Sequence, residues 1–179
     1  DETYVIDPDH IQGKSLIIRR LCLAPRAGGD WHRHDIFSTK CTVAGKTCKV
    51  IIDSGSWENV IAEEVVKKLG LMTEPHPQPY KLGWVNRDAD IQVSRRCRLA
   101  LSFGPQLETS IVADVVPMDA THIILGRPWQ FDNKVVYNGY THTYMLRPDG
   151  KKVILKLLQD VAEQKVIIYL LSREFEASL

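Results

Sequence analysis

The residues with the strongest claim to chemistry are Asp53, Ser54, Gly55 and Ser56, which follow directly on the apolar run Val50-Ile51-Ile52. An acid at the end of an apolar strand is costly to bury unless backbone amides or a partner group meet it. Ser54 and Gly55 allow a sharp turn that aims main-chain N–H groups at that carboxyl. A carboxyl held in this way is suited to general acid–base work. Asp-Ser-Gly is also a common plain turn, and the tripeptide alone does not separate the two readings. Weight is added by the apolar strand before it and by Ile123-Ile124-Leu125-Gly126, about 70 residues further on.

Other chemistries find less support. Trp31-His32-Arg33-His34-Asp35 contains metal-binding residue types, but no Cys or His pair sits nearby at ligand spacing, so it reads as a solvated loop. His76, His122 and His142 are isolated and read as surface or strand residues. Cys22, Cys41, Cys48 and Cys97 form no Cys-x-x-Cys pair, which excludes a zinc ribbon or a thioredoxin-type motif. There is no Gly-x-Ser-x-Gly elbow and no phosphate-binding loop, so serine hydrolase and nucleotide chemistry lack a basis. Neither a metal nor a cofactor is expected.

The composition fits a soluble globular domain, with 44% hydrophobic and 25% charged residues. The net charge is +1, so no field of one sign points to nucleic acid or a membrane surface as partner. The longest apolar run, Val166 to Leu171, has six residues, far short of the ~20 a membrane helix needs. A length of 179 residues suggests one domain plus an extension. The few cysteines and the absence of an Asn-x-Ser/Thr sequon lean toward a reducing, cytoplasmic setting. The chain opens on Asp1 without a signal-peptide pattern, and it is expected to be cut from a longer polypeptide.

The elements that must position Asp53 are short strands. Residues 1–35 look loosely organised, with one apolar stretch, Leu16-Ile17-Ile18 with Leu21 and Leu23, that reads as a strand, and a loop at Pro25 to Asp30. Residues 36–42 and 47–52 form a hairpin with Ala44-Gly45 at the bend, which sets Cys41 opposite Cys48. A disulfide there is open; two plain strand residues is the simpler reading. Ala62 to Leu69 has helical spacing, with Val65, Val66 and Leu69 on one side and Gly70 as its stop. Glu63, Glu64, Lys67 and Lys68 are its solvated face. Pro75, Pro77 and Pro79 read as a stiff extended linker. Tyr80 to Val93 reads as a second hairpin with its tip at Val85 to Asp88, and Cys97 to Phe103 with Leu107 to Val116 as a third, turning at Gly104-Pro105. A strand at Ile123 to Leu125, a short helix near Pro128 to Phe131, and strands at 135–136, 143–146 and 153–157 follow. Turns every 8–12 residues predict a mainly β fold, a closed barrel or sandwich with one or two short helices.

The sequence resembles the retropepsins, the retroviral-type aspartic proteases, and more closely the protease region of plant Ty3/gypsy-type retrotransposon polyproteins. The matching strings are Cys41-Thr42, Val50 to Ile61, His76 to Leu82, Asp114 to Met118 and His122-Ile123-Ile124-Leu125-Gly126-Arg127-Pro128-Trp129-Gln130-Phe131-Asp132, with similar wording at Asn138-Gly139-Tyr140. The resemblance covers residues 16–157. It implies a retropepsin-like closed β-barrel whose half-site is completed by homodimerisation, because only one Asp-Ser-Gly loop is present. Asp53 and its symmetry mate would share one proton, one acting as base on water and the other as acid on the scissile carbonyl. Polypeptide would be the substrate, bound as an extended strand, with the polyprotein itself as natural target.

The resemblance also implies supporting roles. Ser54 would hydrogen-bond across the dimer axis, and Gly55 would let substrate backbone approach, with Ser56 completing the loop. Leu82, Gly83, Trp84 and Val85 would belong to a flap that closes over bound peptide. Ile124, Leu125, Gly126 and Arg127 would pass beneath the active loop, with Gly126 suited to close backbone packing. One departure concerns the acid that pairs in many retropepsins with the Gly-Arg arginine; its place is taken by Trp57, leaving Glu58 as an alternative partner for Arg127. The expected divisions are an N-terminal region at 1–35, a protease core at 36–132, C-terminal strands at 133–158 and an extension at 159–179. Two rival readings are a binding or dimerisation module with little activity and a structural spacer within a polyprotein. The intact loop favours the enzyme over both.

Overall fold

The computed structural model describes residues 2–16, 37–82, 91–119 and 121–158. Most of the 16–23 stretch, the Pro25–Asp30 loop, the Trp31–Asp35 cluster, the second hairpin's tip with Gly83, Trp84 and Val85, and the 159–179 extension lie outside the described residues.

The hairpin that leads to Asp53 has the expected register. Strands β3 (Ser38–Val43) and β4 (Lys46–Ile52) pair from Ser38 opposite Ile51 to Val43 opposite Lys46. Ala44 and Gly45 both have positive φ, 46° and 74°, as a two-residue turn that follows the strand twist requires. Cys41 faces Cys48, and both are buried free thiols. Burial pushes Cys48 up to about 12 and raises Cys41 as well, so neither is a ready nucleophile. After the Asp53 loop come β5 (Val60–Ala62) and helix α1 (Glu63–Leu69). Val65 is buried, and Gly70 ends the helix at φ 61° with its N–H turned back onto Lys67 and Val66.

The proline stretch differs from expectation. It is no linker but part of strand β6 (Thr73–Leu82), which pairs with β7 (Ile91–Ser102) at Thr73–Pro75 and again at Tyr80–Leu82. The register shifts between those two patches. Proline φ suits an extended strand, but Pro77 and Pro79, which stand in the gap after the paired Pro75, have no N–H to donate to the ladder. A second difference is that β7 is one continuous strand of 12 residues serving two hairpins; its other partner is β8 (Glu108–Val116).

Strand β9 (Ile123–Leu125) lies parallel to β4 and antiparallel to β5. Its pairing with β4 closes a ring in the order β4, β3, β7, β8, β5, β9. Val50, Ile52, Ile61, Leu101, Phe103, Ile123 and Leu125 fill the interior, with Trp129 of helix α2 (Arg127–Asp132) against Phe103. A second sheet has the order β1 (Thr3–Ile6), β12 (Lys152–Lys156), β11 (Thr143–Leu146), β10 (Val136–Asn138). Its hairpins sit at the expected places, but β1, parallel to β12, falls in the region read as loosely organised. So does β2 (Lys14–Ser15), which pairs with β4. Four residues, only one of them buried, carry too little pattern to announce a strand. Phe37 and Tyr144 join the two sheets edge to face, with ring centroids 4.6 Å apart.

Candidate active site

The parallel pairing of β4 with β9 carries two loops out of the ring side by side. The Asp53 N–H donates to the Leu125 carbonyl at 3.0 Å, so the last rung of the sheet lies under the acid. The Gly55 N–H donates to Asp53 Oδ1 at 2.8 Å, and the Ser56 N–H to the Asp53 carbonyl at 3.2 Å. The Ser56 hydroxyl donates to the Glu58 carbonyl at 2.7 Å. Asp53 is half-buried, while Ser54 and Gly55 are exposed. A Cβ on Gly55 would stand 3.2 Å from Asp53 Oδ1, so glycine leaves room at the carboxyl.

Beneath the loop, Gly126 is held from both sides. Its N–H donates to Asn59 Oδ1 at 3.0 Å, and the next N–H, of Arg127, donates to the Ser56 carbonyl at 2.9 Å. A Cβ on Gly126 would come within 2.7 Å of the Ser56 carbonyl oxygen and closer still to that of Glu58. Its φ is −89°, so the need for glycine is steric and not conformational. Ile124 pairs with both Ile51 and Val60, tying the floor into the ring. Leu82 stands at the end of the β6 arm opposite Ile91.

Several neighbours of the loop were not legible beforehand. Asn59 donates from Nδ2 to the Val112 carbonyl at 3.3 Å, which links the floor to β8. Gln130 accepts the Ser54 hydroxyl at 3.0 Å. Tyr144 of β11 brings its hydroxyl to Ser54; burial raises its pKa, the Ser54 contact partly offsets that, and the Asp53 charge adds to it. Gln130, four residues after Gly126, stood at helical spacing to reach back to the floor, a signal that was available. Asn59 and Tyr144 offered none, because their partners are distant in sequence.

The arm has its own polar cluster. His76 Nε2 lies 3.2 Å from Asp114 Oδ1, and the Tyr80 hydroxyl donates to Asp114 Oδ2 at 2.5 Å. His76 is therefore not an isolated residue. The Gln78 N–H donates to its Nδ1 at 3.1 Å, so Nε2 carries the proton toward Asp114. Burial, then the Asp114 hydrogen bond and charge, raise the Tyr80 hydroxyl well above its ordinary value. Burial and the Asp114 charge also raise Glu58, partly offset by His76. Among the described residues no ion pair joins Glu58 to Arg127, so the suggested substitute pairing is not made. A groove of about 780 Å³ runs past Glu58, His76, Arg96, Asp114, Trp129 and Asp132, but Asp53 does not line it. Among the described residues no three metal-ligating groups converge, and no helix is long and apolar enough to cross a membrane.

Residues 49–137 match the family model of the PEG10/RTL1 protease domain. No curated protein matches the chain. Among solved structures, the retroviral protease-like domain of Ddi1 from Leishmania major superposes with a TM-score of 0.53 at 14% identity, over 71% of this chain and 98% of that one. The EIAV protease complexed with the inhibitor HBY-793 gives a TM-score of 0.38 at 13% identity, over 54% of this chain and 86% of that one. The ring of strands and the loop pair at its end give this chain a retroviral protease-like fold, and residues 49–137 within it are similar to the PEG10/RTL1 protease domain.

Proposed function

We propose that the chain is an aspartic endopeptidase that works as a homodimer, with Asp53 and Asp53 of a second copy as the catalytic pair. The observation that carries this reading is the presentation of Asp53. Its carboxyl stands half-buried at an otherwise exposed loop, fixed by the Gly55 N–H at 2.8 Å and by a backbone floor. One loop supplies one carboxyl, and the chemistry needs two. Paired closely, two carboxyls hold a single proton between them. The ionised one takes a proton from a water molecule, and the protonated one donates to the carbonyl oxygen of the scissile peptide. The proton passes through these side chains alone, so no metal or cofactor is required.

Extended polypeptide is the substrate this arrangement suits, laid between the active loop and the β6–β7 arm, with Leu82 near the covering flap. The target is the polyprotein from which the domain is cut, of the plant Ty3/gypsy type in the reading of the sequence, and the setting is cytoplasmic. The test is cleavage of the precursor by wild type and by Asp53→Asn, with circular dichroism on both. The variant is expected to keep its fold and lose cleavage. Specific activity of the wild type is expected to fall steeply on dilution as dimers dissociate. Undiminished cleavage by Asp53→Asn would remove the reading. A folded, dimeric but inert wild type would favour a binding module instead.

A further inference from the structure

Gln130 commits every polar group of its side chain to the floor of the active loop. It is 7% exposed. Its Nε2 donates to the carbonyls of Gly126 at 3.2 Å and Leu125 at 3.4 Å, and its Oε1 accepts from Ser54 Oγ at 3.0 Å. The Leu125 carbonyl also receives the Asp53 N–H. Carbonyls cannot donate, so the amide nitrogen must face them and the amide oxygen must face Ser54. The Ser54 hydroxyl therefore has to be the donor.

We propose that Gln130 is a positioning residue for the Asp53 loop: its amide engages the Ser54 hydroxyl and ties that side chain to the carbonyl that also holds the Asp53 backbone. The inference rests on reading Asp53 as catalytic in a homodimer. Each loop is thus built before the two copies meet, which lowers the ordering cost of bringing two carboxyls together.

The experiment measures kcat, KM and the pH–rate profile of peptide cleavage by the full chain, with the dimer followed by sedimentation. Gln130→Met removes both ends of the clamp at similar volume; kcat is expected to fall roughly ten-fold or more, with KM changed less than about two-fold. Gln130→Glu is the sharper probe. When protonated, the introduced carboxyl accepts from Ser54 and donates to a floor carbonyl, so activity at acidic pH stays near wild type. When ionised it faces two carbonyls in the floor of the loop, so activity is lost at lower pH than in wild type. Ser54→Thr is expected to retain activity and Ser54→Val to lose it. Ser54→Val combined with Gln130→Met is expected to be no slower than the slower single variant. If Gln130→Met does not fold, the Gln130→Glu profile and the Ser54 pair carry the test. An unshifted alkaline limb in Gln130→Glu, or additive losses in the double variant, overturns the positioning role while an inert Asp53→Asn leaves the catalytic reading standing. An active Asp53→Asn overturns both.

Discussion

The β3–β4 hairpin pairs residue for residue from Ser38↔Ile51 to Val43↔Lys46, whereas the β6–β7 hairpin loses its ladder between Pro75 and Tyr80. The first is buried along most of its length and delivers the Asp53 loop. The second is largely exposed along β6 and delivers the arm that ends at Leu82. Each ladder bond contributes about 1 kcal/mol, so shifting the first hairpin means breaking many at once. Across the gap of the second, His76 and Tyr80 are both tied to one carboxylate, Asp114, on β8. A rigid support thus stands under the reacting group, and under the arm proposed to move stands a strand whose ladder gap is bridged by side chains meeting at Asp114. The same chain achieves both with strands; the difference lies in Pro77 and Pro79, which stand in the gap without N–H donors.

The comparison breaks most severely at Gly126. If the floor is as fixed as its double backbone contact implies, Gly126→Ala forces a methyl against the Ser56 and Glu58 carbonyls with no flexible side chain to yield. A loss of about 3 kcal/mol or more in urea unfolding is expected. A near-neutral result means that the loop above Gly126 can lift, and the contrast with the arm disappears.

Asp114→Asn tests the other side with a smaller effect. The amide offers one acceptor where the carboxylate served two donors, so either His76 Nε2 or the Tyr80 hydroxyl is left unmatched. About 1–3 kcal/mol of stability is expected to be lost. The location of the loss is the sharper criterion. Hydrogen exchange of backbone amides in 80–82 and 91–93 is expected to accelerate, while amides of β3 and β4 keep their protection. Equal acceleration in both hairpins would show that Asp114 supports the whole ring and not the arm.

The same contrast decided what the sequence disclosed. The β3–β4 hairpin was legible to the residue pair, because Ala44-Gly45 fixes the turn and the turn fixes the register. The Asp53 loop and the Gly126 floor were legible as strings of residue types, although why Gly126 must be glycine needed the position of the Glu58 carbonyl. β6 was misread because alternate prolines signal a chain that leaves a sheet, and here a neighbour on each side of the gap keeps it in place. β1 was missed because four residues gain their strand character from β12, about 150 positions away. Asn59, Tyr144 and the His76–Asp114–Tyr80 cluster share that limit: each is an ordinary polar residue until the fold supplies its partner.

The smallest expected effect concerns Glu58, which lies where the two regions meet. Its carbonyl crowds Gly126 on the rigid side, and its carboxyl feels Asp114 and His76 on the side of the arm. Burial first, and the Asp114 charge second, raise its pKa above the ordinary value of 4.5, with His76 offsetting part of the rise. A carboxyl with a raised folded-state pKa holds its proton more tightly in the native protein than in the unfolded chain. Its contribution to stability is therefore fully present below 4.5 and is lost as pH rises through the folded value. Near neutrality the ionised Glu58 is a small cost, which Glu58→Gln removes. Because the side chain is largely solvated, the gain is expected to be a few tenths of a kcal/mol, or on the order of 1 °C in Tm. It should vanish in melts run below the ordinary glutamate range. Asp114→Asn removes the second cause, so in that background the gain from Glu58→Gln is expected to shrink. A lower Tm for Glu58→Gln near neutrality would mean that the ionised carboxylate is stabilised in the fold. The residue would then serve as a charged anchor between floor and arm, and the two regions could not be treated as separate supports.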